Sequence, residues 1–143
     1  MGTQQILLIV LAVIIVGVAI VVGISLFGNA AYNSNKQAVS ADLNNYASQV
    51  IQFWKTPASL GGGGNKPANL TQAKIAAYIT FTGADFSASS DNGDYRITAV
   101  VGNIVTLKGL GKEEKGGQKP LITTNVDVAS SAISSVAASG TGF

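Results

Sequence analysis

The chain has 143 residues, with nine Lys or Arg against seven Asp or Glu, and its formal charge of +2 is too weak and too scattered to argue for a nucleic-acid partner. It contains no cysteine and no histidine. That excludes disulfides, thiol chemistry and cysteine metal sites, and it removes the commonest general base and metal ligand.

Charge is missing altogether from residues 1–35. Inside that stretch Ile6 to Phe27 is an apolar run interrupted only by Gly17, Gly23 and Ser25. As a helix it measures about 33 Å, enough to cross the hydrocarbon core of a bilayer. Its many Ile and Val side chains weaken a helix in water, but in lipid the backbone has no other way to satisfy its hydrogen bonds. The pattern then changes. Val39, Leu43, Tyr46, Val50 and Phe53 recur at helical spacing, and polar residues such as Gln37, Asp42, Asn45 and Gln52 fill most of the other positions. The expectation is one long helix from Gly2 to about Trp54, closed by Thr56-Pro57, with a point of flex at Gly28-Asn29. Residues 1–27 form a hydrophobic segment for a membrane or a filament core. Residues 28–143 form a globular head that includes the amphipathic continuation to about residue 55.

Leu60 to Pro67 (LGGGGNKP) reads as a flexible connector. A short helix starts near Asn69-Leu70-Thr71 and includes Ala73, Ala76, Ala77 and Ile79. Asn92-Gly93 reads as a turn. Tyr95, Ile97, Ala99 and Val101 alternate with other residues as a strand with one buried face, and Gly102-Asn103 turns it into a return strand from Ile104 to Leu107. Gly109 to Pro120 reads as a charged, glycine-rich loop. Ile122, Thr124, Val126 and Val128 give a third strand. The Ser- and Ala-rich tail from Ser130 to Phe143 either adds a strand or packs loosely. The fold class is therefore α+β: a long N-terminal helix, apolar in its first half and amphipathic in its second, packed by its C-terminal half on a small antiparallel sheet.

The candidate chemistry is thin. Gly61 to Gly64 with Asn65-Lys66 lacks the strand before it and the Ser/Thr after the lysine that a phosphate loop requires, because Pro67 follows. Glu113 and Glu114 are adjacent, whereas calcium loops space their ligands alternately. Asp91-Asn92-Gly93-Asp94, with Asp85 nearby, resembles a fragment of a calcium loop without its distal glutamate, and a turn is the simpler reading. Tyr32, Tyr46, Phe53 and Trp54 fit helix-to-sheet packing better than a ligand platform. Asn69-Leu70-Thr71 is a glycosylation sequon, which makes Asn69 a candidate for sugar attachment. No catalytic, metal or cofactor residues are expected, and enzymatic activity is not expected.

The start Met1-Gly2-Thr3-Gln4-Gln5, the run ILLIVLAVIIVGVAIVVGISLF, the amphipathic continuation and the small sheet together resemble a mature type IV pilin-like subunit. The resemblance covers nearly the whole chain. It implies that a prepilin peptidase removes a short basic leader, that Met1 is a mature and often methylated terminus, and that pilus assembly machinery draws the helices from the membrane into a filament core. No nucleic acid is required, and the product is an extracellular cell-surface filament. The implied partner is the chain itself, through Gln4, Gln5, Ile6, Leu7, Ile9, Val10, Val13, Ile14, Gly17, Ile20, Val21, Ile24 and Phe27. Two departures stand out. Gln5 (or Gln4) holds the place where most pilins have a glutamate, so a buried ion pair becomes a neutral contact. No proline interrupts the apolar helix, so it is expected to stay continuous, as in archaeal-type pili, with Gly17, Gly23 and Gly28 permitting close approach. The alternatives are a pseudopilin of a secretion system and a single-pass, membrane-anchored binding protein.

Overall fold

A computed structural model describes residues 2–143. A 54-residue helix, α1 (Gly2–Lys55), leads into two short 3-10 turns (Ala58–Leu60 and Pro67–Asn69) and a helix of two turns, α2 (Gln72–Tyr78). Five strands follow: β1 (Ser87–Ser89), β2 (Gly93–Val101), β3 (Ile104–Gly111), β4 (Lys119–Asp127) and β5 (Ala132–Gly140). They form one antiparallel meander in the order β1-β2-β3-β4-β5. The α+β architecture is the one the sequence predicts.

α1 is unbroken through Gly17, Gly23 and Gly28-Asn29. Its second half carries the predicted stripe: Val39, Leu43, Val50 and Phe53 are buried, Ala47 joins them, and Tyr46 is half-buried at the margin. The stripe lies on the inner face of the sheet, on Val105 and Leu107 of β3 and Ile122 and Val126 of β4, with Tyr46 against Tyr95 of β2, and Ile97 belongs to the same core. α2 closes one end with Ile75 and Ala76, aided by Leu70, Ile79 and Phe81. Thr71 caps α2 by accepting from the Lys74 N–H at 3.4 Å. Tyr46 meets the rings of Phe81 and Tyr95 edge-on at 4.9 and 5.1 Å.

The expected flexible connector is instead a folded cap on α1. The last carbonyls of a helix lack donors of their own. Here the N–H of Gly63 donates to Phe53 O at 2.7 Å, that of Asn65 to Trp54 O at 2.9 Å, and that of Gly64 to Thr56 O at 2.8 Å. Only glycine allows so close a return. A Cβ on Gly62 would overlap the Thr56 carbonyl, and Gly64 takes a left-handed φ of 60°.

Two strand expectations need correction. The return strand runs to Gly111, so Gly109, Leu110 and Gly111 belong to β3 and are buried, and the loop shrinks to residues 112–118. The cause is the helix overhead: a Cβ on Gly109 would lie 2.7 Å from Val39 Cγ1 and 3.0 Å from Leu43 Cδ1. Glycine here marks close approach, where the sequence pattern suggests a loop. In β2 a bulge between Ile97 and Ala99 breaks the alternation. It turns Val100 toward the core and leaves Val101 72% exposed, so the predicted buried face ends at Ile97. The third predicted strand holds, with Ile122, Thr124, Val126 and Val128 all buried. The tail resolves as a strand, β5, paired along the whole of β4.

The seam between α1 and β3 therefore tolerates neither a gap nor an added methyl. Leu43→Ala is expected to lower unfolding stability by about 2–5 kcal/mol through lost burial and a residual cavity. Gly109→Ala is expected to lower it by about 1–3 kcal/mol through overpacking. Denaturant midpoints of the full chain in detergent micelles check both values, and a neutral Gly109→Ala would show that helix and strand are not in contact.

Candidate functional site

The feature set apart from the rest of the molecule is the first half of α1. Every large apolar residue from Ile6 to Phe27 keeps between 51% and 80% of its surface open. The expected interface residues, from Gln4 and Gln5 through Ile14 and Gly17 to Phe27, all lie on this exposed segment. Apart from Gln4 and Gln5 they follow one side of the helix, while the Ile6–Phe27 run as a whole is apolar and exposed on every side, and among the described residues nothing packs on it. The segment is long and apolar enough to cross a membrane, and none of its most apolar 18-residue window is buried. Glycine in a helix interior costs about 1 kcal/mol relative to alanine. Yet a Cβ on Gly17 or Gly28 would meet nothing within 4 Å inside the chain.

How this segment projects is set by a polar seat at the head. Asn35, Val39 and Asp42 follow one another on the sheet-facing side of α1. The Asn35 side-chain amide donates to Asn92 O at 2.7 Å, and the Glu113 N–H donates back to Asn35 Oδ1 at 3.3 Å. Asp42 Oδ2 accepts from Asn92 Nδ2 at 2.9 Å and from the Tyr95 hydroxyl at 2.5 Å. Lys112 Nζ ties the same turn from outside by donating to Ser90 O. Sequence reading places Asp42 among the polar face residues and passes over Asn35. Their spacing of seven residues around the stripe residue Val39 was the available signal.

The acidic turn is part of this seat. Asn92 is spent on α1, Asp94 accepts from the Ser89 hydroxyl at 2.6 Å, and Asp85 faces Arg96 at 3.4 Å. Among the described residues no three Asp or Glu side chains converge on one point. Asn69 is half-buried, and both ends of its amide are engaged: Nδ2 donates to Gly63 O at 3.1 Å and Oδ1 accepts from Lys74 Nζ at 2.9 Å. A sugar there would compete with the helix cap. Phe53 and Trp54 are core residues, Tyr46 borders the core, and Tyr32 lies on α1 where it leaves the head.

Comparison with protein-family models, known proteins and solved structures returned no match. The functional reading therefore stands on the residues and their geometry.

Burial, then the hydrogen bond to Asp42, raises the Tyr95 hydroxyl well above its ordinary value of 10.0. Burial and the Asp42 charge also raise Tyr46. Below the ordinary value both folded and unfolded tyrosines are neutral, and the stability is complete. Above it the unfolded chain loses its protons first, so stability falls as pH climbs from about 10 upward. Tyr95→Phe is expected to flatten that alkaline loss, and Asp42→Ala to cost about 1–3 kcal/mol at neutral pH by stranding its two donors. Unfolding midpoints between pH 7 and 11, read beside tyrosinate absorbance, check both.

Proposed function

We propose that this chain is a structural subunit of an extracellular, type IV pilin-like helical filament, built by bundling the first halves of many copies of α1. One observation carries the reading: a single continuous helix is apolar on every side over its first half and embedded on one side only in a folded head over its second. A lipid bilayer satisfies the first half before assembly, and neighbouring copies of the same helix satisfy it afterwards. Burying each large side chain away from water is worth about 1.5–3 kcal/mol as an upper figure. The difference between lipid and a helix bundle is much smaller, because both surroundings are apolar. A subunit thus passes from membrane to filament at low cost, while release into water is strongly opposed.

The glycines support the same reading. Among the described residues nothing approaches Gly17 or Gly28 closely enough to require glycine, and close helix-to-helix packing would give them a role. Gln4 and Gln5 offer hydrogen bonds to a neighbour's amino terminus without neutralising it. The subunit acts as a building block, without catalysis. A prepilin peptidase and an assembly motor are the implied partners, and adhesion, motility or surface attachment the implied service. A pseudopilin or a membrane-anchored binding protein would share the helix without forming a long polymer.

The deciding measurement is cryo-electron microscopy of the fraction sheared from cells that express the chain. The expected result is a filament with Ile6 to Phe27 at its axis. Val13→Asp places a carboxylate in that axis, at about 2.5–3.5 kcal/mol per subunit on membrane-insertion scales, and is expected to abolish filaments while the head still folds. Wild-type chain found only in the membrane fraction would overturn the proposal.

A further inference from the structure

The two outer edges of the sheet differ. β1 has three residues, and its outer side is already met by Gly83, whose N–H donates to Ser87 O at 2.9 Å. β5 has nine residues and follows β4 without a break from Lys119↔Gly140 to Asp127↔Ala132. Among the described residues no strand pairs with its other side. In an antiparallel strand every second residue turns its N–H and C=O away from its neighbour, so β5 presents a row of free donors and acceptors.

Proteins ordinarily block such an edge with a lysine, a proline, a bulge or a short strand. β5, with the sequence AISSVAASG, has none of these. It is exposed from Ala132 to Ser139. On the helix side it borders an open groove of about 420 Å³ between Ser135 and Ala137 and the α1 residues Lys36, Gln37 and Ser40. On the far side Val136, paired with Thr123, is 66% exposed. The edge and both faces of β5 are therefore open together.

We propose that β5 is a lateral docking edge that pairs antiparallel with β5 of a second copy, joining two filaments that run in opposite directions. The proposal rests on the filament reading above. The occupant follows from the edge itself. β5 is neutral along its length, so two copies meet without like-charge repulsion, and its small side chains allow close approach. The other edge of any copy is short and occupied, which leaves β5 as the free edge a neighbour can offer. Two identical antiparallel strands are related by a two-fold axis perpendicular to their sheet. α1 lies along the sheet face, so that axis reverses α1 in the second copy. Helices bundled in one filament all point the same way, so this pairing forms only between filaments of opposite polarity. A pairing centred on Val136 sets the two Val136 side chains side by side on the face away from α1.

The test uses filaments of the full chain. Wild-type filaments are expected to associate side by side, with neighbours of opposite polarity in cryo-electron tomograms. Val136→Lys is expected to cut the bundled fraction, read by low-speed sedimentation, by at least tenfold, and Val136→Thr to leave it intact. Because the chain has no cysteine, Val136→Cys introduces a single thiol. Oxidation of bundles should then yield a covalent dimer that reduction removes, whereas dilute, separated filaments should yield none. Wild-type filaments that stay single, bundles of uniform polarity, or unchanged bundling by Val136→Lys would each overturn the proposal and leave the filament reading standing. Absence of filaments altogether would remove the filament reading, and this inference with it.

Discussion

The seam between the second half of α1 and strands β3 and β4 supports everything else. The inner face of the sheet carries Ile97, Leu107, Ile122 and Val126; α2 meets only β2, and β3 and β4 are left to α1. The stripe from Val39 to Phe53 covers it, and Gly109 lets the helix descend onto the strand. Because α1 has no break, seating its second half also aims the first. About 33 Å of apolar helix then projects from a head that offers it no cover. Asn35 and Asp42 fix the rotation of that lever by anchoring α1 to the turn before β2.

The two halves of α1 answer to different solvents. The first is suited to surroundings that are apolar on every side, and the second to a boundary between a core and water. A proline near the junction would break the helix that joins them, and the chain has none between Gly2 and Lys55. The sheet and α2 supply most of the buried core, but they close it only with the stripe of α1, so the stability of the head depends on the same helix that carries the exposed apolar segment. Folding of the head and placement of the apolar segment are in that sense one event.

At the far end of α1 the glycine-rich segment shows how composition misleads. Four consecutive glycines suggest a flexible tether. Three unpaired carbonyls at the end of a long helix create the opposite demand, and the backbone of Gly63, Gly64 and Asn65 meets it. The same residue type serves close approach in β3, where Gly109 and Gly111 lie under the helix.

The sequence by itself determined the long helix, its two halves, the stripe and the strand carrying Ile122, Thr124, Val126 and Val128. Those features rest on local periodicity, which a side chain's neighbours along the chain already encode. The uncharged, membrane-length segment was equally legible, because its meaning depends on composition and length. Only the tertiary structure decided the rest. The folded cap, the extension of β3 to Gly111, the bulge that turns Val100 inward and the seat built from Asn35, Asp42, Asn92 and Tyr95 all join residues far apart in sequence. So does the open edge of β5: the residues that would protect it are missing from the sequence, but that it is an edge depends on which strand lies beside it. Each is a matter of which backbone groups and surfaces remain unsatisfied once the helix has settled on the sheet, and no local pattern records that.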